Sequence, residues 1–64
     1  MEVGSCYSIH INHDKLVDFD VQINHNISDL DIEILDMNNK FIKVFSPVWE
    51  GWLPKSCIQI TKKL

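Results

Sequence analysis

Trp49-Glu50-Gly51-Trp52-Leu53-Pro54-Lys55-Ser56-Cys57-Ile58-Gln59-Ile60 is the stretch whose reading decides the fold. Glu50 to Leu53 has the composition of a short strand. Pro54 stops it, because proline fixes φ and has no N–H to give to a strand ladder. One tight turn of 3₁₀ type fits Lys55-Ser56-Cys57. A last strand, Ile58 to Thr61, then follows, and Lys62-Lys63-Leu64 is expected to fray. A strand, a single turn and a closing strand within so few residues point to a small all-β domain.

Working outward, Pro47-Val48 reads as a turn and Lys40 to Ser46 as a strand with faces Phe41, Lys43, Phe45 and Ile42, Val44. Asn38-Asn39 is a hairpin dipeptide, since asparagine tolerates positive φ. Asp31 to Met37 is the strand before it, with Ile32 and Ile34 inward and Leu35 half covered. Ile27 to Asp31 suits a diverging turn, because Ser28-Asp29 favours local side-chain to backbone bonds. Leu16 to Ile23 alternates Val17, Phe19, Val21, Ile23 against Leu16, Asp18, Asp20, Gln22, and is predicted to be a strand. A helical turn within His13 to Asp20 is opposed by that alternation. Asn12-His13-Asp14-Lys15 is a polar turn, and Gly4 to Ile11 is a first strand with Tyr7, Ile9 and Ile11 on one face. Nine isoleucines, five valines and no alanine favour strands over helices. Five or six short antiparallel strands over residues 1–64, as one domain, are expected to close into a barrel that leaves few open edges.

The totals narrow the function. A net charge of −3 with no arginine argues against direct binding to nucleic acid, which wants a basic face. No apolar run approaches the ~20 residues of a membrane span, and Met1-Glu2-Val3-Gly4 has no signal-peptide character. A cytoplasmic location follows as the expectation, with no membrane partner. Cys6 and Cys57 then read as reduced thiols, although small barrels often bring chain ends together and a bridge stays geometrically open. Abundant Ile, Asn and Lys without Ala or Arg fits an AT-rich coding sequence, as in many bacteriophages, which would place the chain in a host cytoplasm.

Three pieces of the chain resemble the Src-homology-3 family of small barrels. Leu16-Val17-Asp18-Phe19-Asp20 resembles its Ala-Leu-Tyr-Asp-Tyr segment. Asp31-Ile32-Glu33-Ile34-Leu35 is similar to the strand after its diverging turn. Gly51-Trp52-Leu53-Pro54-Lys55-Ser56-Cys57-Ile58 resembles its Gly-hydrophobic-hydrophobic-Pro-x-Asn-Tyr-Val ending. The resemblance implies an SH3-like barrel with a 3₁₀ turn before the last strand. The family's groove stacks aromatic rings on polyproline ligands, but Val17 and Cys57 stand where two of its tyrosines would be, and only Phe41 lies near its tryptophan. The barrel is therefore expected without ordinary polyproline recognition.

No constellation carries chemistry. His10, His13, His25 and Cys6 lack the spacing of a tetrahedral zinc site and read as loop and surface residues. Ser, His and Asp are present, but nothing places them as a triad. Neither a cofactor nor a metal is expected, and the chain is read as no enzyme. The clearest feature is acidic: Asp18 and Asp20 on one strand face, Asp29 and Asp31 one loop later. Beside it is an aromatic edge of Phe41, Trp49 and Trp52. Trp49 and Trp52 have odd spacing and point opposite ways in a regular strand; Trp49, at a loop edge, is read as the exposed one.

The expected function is non-catalytic protein binding at that joint surface, in which carboxylates steer a basic partner and an aromatic anchor is buried. A phage protein that binds and modulates a host enzyme would fit. Two alternatives stand beside it: an acidic mimic of nucleic acid that inhibits a DNA- or RNA-acting enzyme, and a structural subunit that assembles through an edge strand.

Overall fold

The computed structural model describes all 64 residues. Five antiparallel strands, β1 (Cys6–Ile11), β2 (Asp29–Met37), β3 (Phe41–Phe45), β4 (Glu50–Pro54) and β5 (Ile58–Lys63), form one sheet in the order β4-β3-β2-β1-β5. A single helical turn, α1 (His13–Leu16), follows β1, and a 3₁₀ turn over Lys55–Cys57 joins β4 to β5. The small all-β domain, the Pro54 stop and the turn before the last strand are as the sequence indicated. The strand count settles at five.

Nine-residue β2 serves two partners. Its residues Asp29 to Glu33 pair with β1, and Glu33 to Met37 pair with β3. A register shift between Ile34 and Asp36 marks a bulge, a device that bends a strand and increases its twist. One end of the sheet thus carries β1 and β5, the other β3 and β4, and the two wrap around one core in a barrel-like arrangement. Tyr7, Ile9 and Ile11 from β1, Leu30, Ile32 and Ile34 from β2, Ile42 and Val44 from β3 and Leu53 from β4 are all buried in it. Register explains the sharing: Ile9 lies beside Leu30, Tyr7 beside Ile32, Ile34 beside Val44 and Ile42 beside Leu53. Such same-face neighbours are the unit of sheet stabilisation. Cys57 from the 3₁₀ turn is buried in the same core, Cys6 is exposed, and both are free thiols.

The expected strand Leu16 to Ile23 does not form. Asn12 caps α1 instead, its Oδ1 accepting from the backbone N–H of Asp14 (3.0 Å) and Lys15 (3.3 Å), as N-cap asparagines do. Leu16 N–H donates to Asn12 O and Phe19 N–H to Leu16 O, so the chain turns rather than extends. Nor could a strand here pair with β1, the strand it leaves, because β1 is already paired on both sides, to β2 and β5. Residues 17–28 are therefore a long loop, and Asp18 and Asp20 share no strand face. The turn before β2 is built by Asn24, which accepts from Asn26 N–H and Ile27 N–H. The likeness of Leu16–Asp20 to a family segment is one of residue types only.

Three smaller expectations also change. Lys62 and Lys63 do not fray: they pair with Ser8 and Tyr7, and Leu64 N–H donates to Cys6 O. No non-glycine residue has positive φ, so the Asn38-Asn39 turn works differently. Asn38 Oδ1 accepts from the N–H groups of Lys40 and Phe41. Trp49 is not the exposed tryptophan. Ser46 Oγ donates to Trp49 O at 2.9 Å and accepts from Val48 and Trp49 N–H. That tight turn sends the Trp49 ring inward, where it packs on the core.

Gly51 lies under this ring. A Cβ at Gly51 would sit 2.8 Å from Trp49 Cη2 and 3.0 Å from Cζ2, on a backbone with φ of +157°. Gly51→Ala forces the ring or the strand to move, an overpacking cost of about 1–3 kcal/mol. Chemical denaturation should show the midpoint falling at unchanged slope. An unaltered midpoint would mean that the indole does not rest on β4.

Candidate functional site

The 12–28 segment carries no ladder, so side chains fasten it. Val21, Ile23 and Ile27 are partly buried against the core. Trp49 Nε1–H donates to Gln22 O at 2.9 Å. Phe19 meets Phe41 of β3 edge-on, with ring centroids 6.0 Å apart and planes at 86°, a favoured aromatic geometry. His13 Nε2–H donates to Ile27 O at 2.6 Å, and the His13 and His25 rings stack with centroids 5.0 Å apart. These contacts join α1 to the later limb of the loop, and the loop to β3 and the β3–β4 turn.

Between the limbs lies a hollow of about 220 Å³. Leu16, Val17, Phe19, Val21 and Ile23 supply its apolar wall, and His13 and His25 its polar edge. Small-molecule sites usually have ~300–1,000 Å³. The hollow is smaller than that and suits one protruding side chain better than a substrate. Val17 is 71% exposed and forms an apolar lip. Asp14, Asp18 and Asp20 are exposed along the same segment and none is in an ion pair. A half-open hollow of apolar side chains and two histidines, on a segment with uncompensated carboxylates, can take an apolar group carried on a positively charged segment.

The expected site residues divide among three places. Asp18 and Asp20 flank Phe19 on the loop, and Phe41 stands beside it. Asp29 and Asp31 project from the outer face of β2, where each has a partner on β1: His10 Nδ1–H to Asp29 Oδ1 at 3.0 Å, and Ser8 Oγ–H to Asp31 Oδ1 at 2.5 Å. The His10–Asp29 contact is the one ion pair of the chain when His10 is protonated. Trp49 is a fastening of the loop, and Trp52 is 40% exposed on the outer face of β4. Of these residues, Phe41 touches the loop through Phe19 and Trp49 through Gln22, while Asp29 and Asp31 bond β1.

Leu16, Val17, Val21, Ile23 and the His13–His25 pair were missed as a site. The available signal was Asn12, a good N-cap ahead of His13-Asp14-Lys15-Leu16, which announces a helical turn where the alternation suggested a strand.

Compared with family models, with curated proteins and with solved structures, the chain matches none.

Trp49→Phe keeps the ring and removes the indole donor. Its expected effect is a loss of about 1 kcal/mol, with faster amide hydrogen exchange confined to residues 17–28. Equal acceleration across β1 and β5 would contradict a local fastening.

Proposed function

We propose that this chain is a non-catalytic, SH3-like protein-binding module that uses its 13–25 segment as the docking surface. The SH3-like reading is supported by the chain order. A strand is followed by a long loop, then by the meander β2-β3-β4, a 3₁₀ turn and a last strand that returns to the first. The burial of Cys57, at the position of a groove tyrosine in the family, supports reading the module as one without ordinary polyproline recognition.

The observation that carries the binding reading is the hollow itself: walled by five apolar side chains and two histidines, sized for a side chain, on a segment that also carries the unpaired carboxylates Asp14, Asp18 and Asp20. Its partner is a protein segment that presents one apolar side chain among lysines or arginines. Burial of that side chain supplies affinity, and the carboxylates raise the encounter rate and disfavour acidic competitors. Asp29 and Asp31, engaged with His10 and Ser8, contribute little to this surface. A phage-encoded modulator of a host enzyme is compatible with such a module.

Affinity capture from bacterial lysate tests the reading. Wild type should retain a discrete partner. Phe19→Ser should abolish capture, and Asp18→Asn with Asp20→Asn should weaken it roughly tenfold, in line with ~0.5–1 kcal/mol per exposed charge contact. Asp29→Asn with Asp31→Asn should leave it intact. Capture that ignores the loop variants would refute the assignment, and displacement of the partner by duplex DNA would favour nucleic-acid mimicry instead.

A further inference from the structure

The outer face of β2, β3 and β4 carries three large apolar side chains in solvent: Leu35 at 37%, Phe45 at 45% and Trp52 at 40% exposure. Trp52 and Phe45 come from neighbouring strands and lie on a diagonal, because Lys43 is directly opposite Trp52 and Glu50 directly opposite Phe45. Glu33 flanks Phe45 on the other side. None of Lys43, Glu33 or Glu50 has an ion-pair partner within the chain. Asp36, the β2 neighbour of Lys43, turns its carboxylate to its own strand and accepts from Met37 N–H. This face shares no residue with the hollow.

We infer that this face is self-complementary and that its occupant is a second copy of the same chain. Outward positions along a strand are about 6.6 Å apart and neighbouring strands about 4.8 Å apart. Lys43, Phe45, Glu50 and Trp52 therefore sit at the corners of a small rectangle, with the two aromatics on one diagonal and the opposite charges on the other. A two-fold axis in the plane of the face, along the Phe45–Trp52 diagonal, lays Phe45 on Phe45 and Trp52 on Trp52. The same rotation brings Lys43 of each copy to within about 2.5 Å of the position over Glu50 of the other, an offset that the long lysine stem spans. Both charge contacts form at once, as an isologous interface requires. The sheets then cross steeply, close to the orthogonal class of sheet packing. The patch is smaller than the ~800 Å² per partner of a standard interface, so the dimer is weak and appears as concentration rises.

The test is sedimentation equilibrium of the full chain from micromolar to millimolar concentration. Wild type should shift from monomer to dimer. Lys43→Glu faces Glu50 with a like charge, and Glu50→Lys faces Lys43 likewise, so each variant alone should dimerise at least tenfold more weakly. An equimolar mixture of the two restores opposite charges at both contacts and should recover the wild-type dimer. All the substituted side chains reach solvent, and a native circular dichroism spectrum checks the fold of each variant. A wild type that stays monomeric at millimolar concentration overturns the inference, and so does a mixture that associates no better than its components.

Discussion

Both edges of β1 are occupied, by β2 on one side and β5 on the other, and the rest of the molecule follows from that constraint. The chain leaves β1 at Ile11 and enters β2 at Asp29. The intervening residues have no free ladder beside the strand they leave. Their attachment comes from apolar burial and from isolated hydrogen bonds. A domain of this size buries only ~60% of its unfolded surface, so those few attachments matter. Val21, Ile23 and Ile27 give the burial, and the Trp49 indole gives the one bond from β3–β4 to the middle of the loop.

Trp49 reaches that position through local chemistry that is distributed over three residues. Ser46 closes the turn with its hydroxyl, Pro47 removes an N–H that the turn does not need, and Gly51 leaves room for the ring two positions on. Residues at i and i+2 of a strand share a face, so an aromatic at 49 needs a minimal residue at 51. The ring is both core and clasp. The loop it holds is fastened near Phe19 and Gln22 and bridged by His13 at its base, yet its two limbs do not close on each other. The hollow is what remains between them. The hollow and the loop therefore have one cause, a segment that lies outside the sheet and is pinned across it.

The β architecture was legible because period-two patterns report burial faces directly. Tyr7, Ile9, Ile11, Ile32, Ile34, Ile42 and Val44 all point inward as their alternation indicated. Pro54 marked the end of β4 because its missing N–H is a covalent fact. The same pattern misled at Val17, Phe19, Val21 and Ile23. Alternation records which residues seek cover; Val21 and Ile23 find it in part against the core and Phe19 beside Phe41, without any strand partner, while Val17 stays exposed. Pairing vacancy on β1 is a property of the whole topology and cannot be read from a local window. The placement of the acidic residues was hidden for a related reason: Asp29 and Asp31 bond β1 side chains, while Asp18 and Asp20 ride on the loop, and that division is decided by tertiary placement. Trp49 and Trp52 were rightly separated by their odd spacing, but the loop-edge argument exposed the wrong one, because it ignored the space that Gly51 creates.

The central claim is that residues 17–28 are an ordered loop clasped by Trp49 and Phe41. A nuclear Overhauser spectrum of the isotope-labelled chain addresses it most directly. The account predicts contacts from the Trp49 indole N–H to Gln22 and Ile23, and from the Phe19 ring to the Phe41 ring, with no Hα–Hα contacts linking residues 16–23 to another strand. Cross-strand Hα–Hα contacts from Val17, Phe19 or Val21, or a Trp49 indole with no neighbours in the loop, would contradict it.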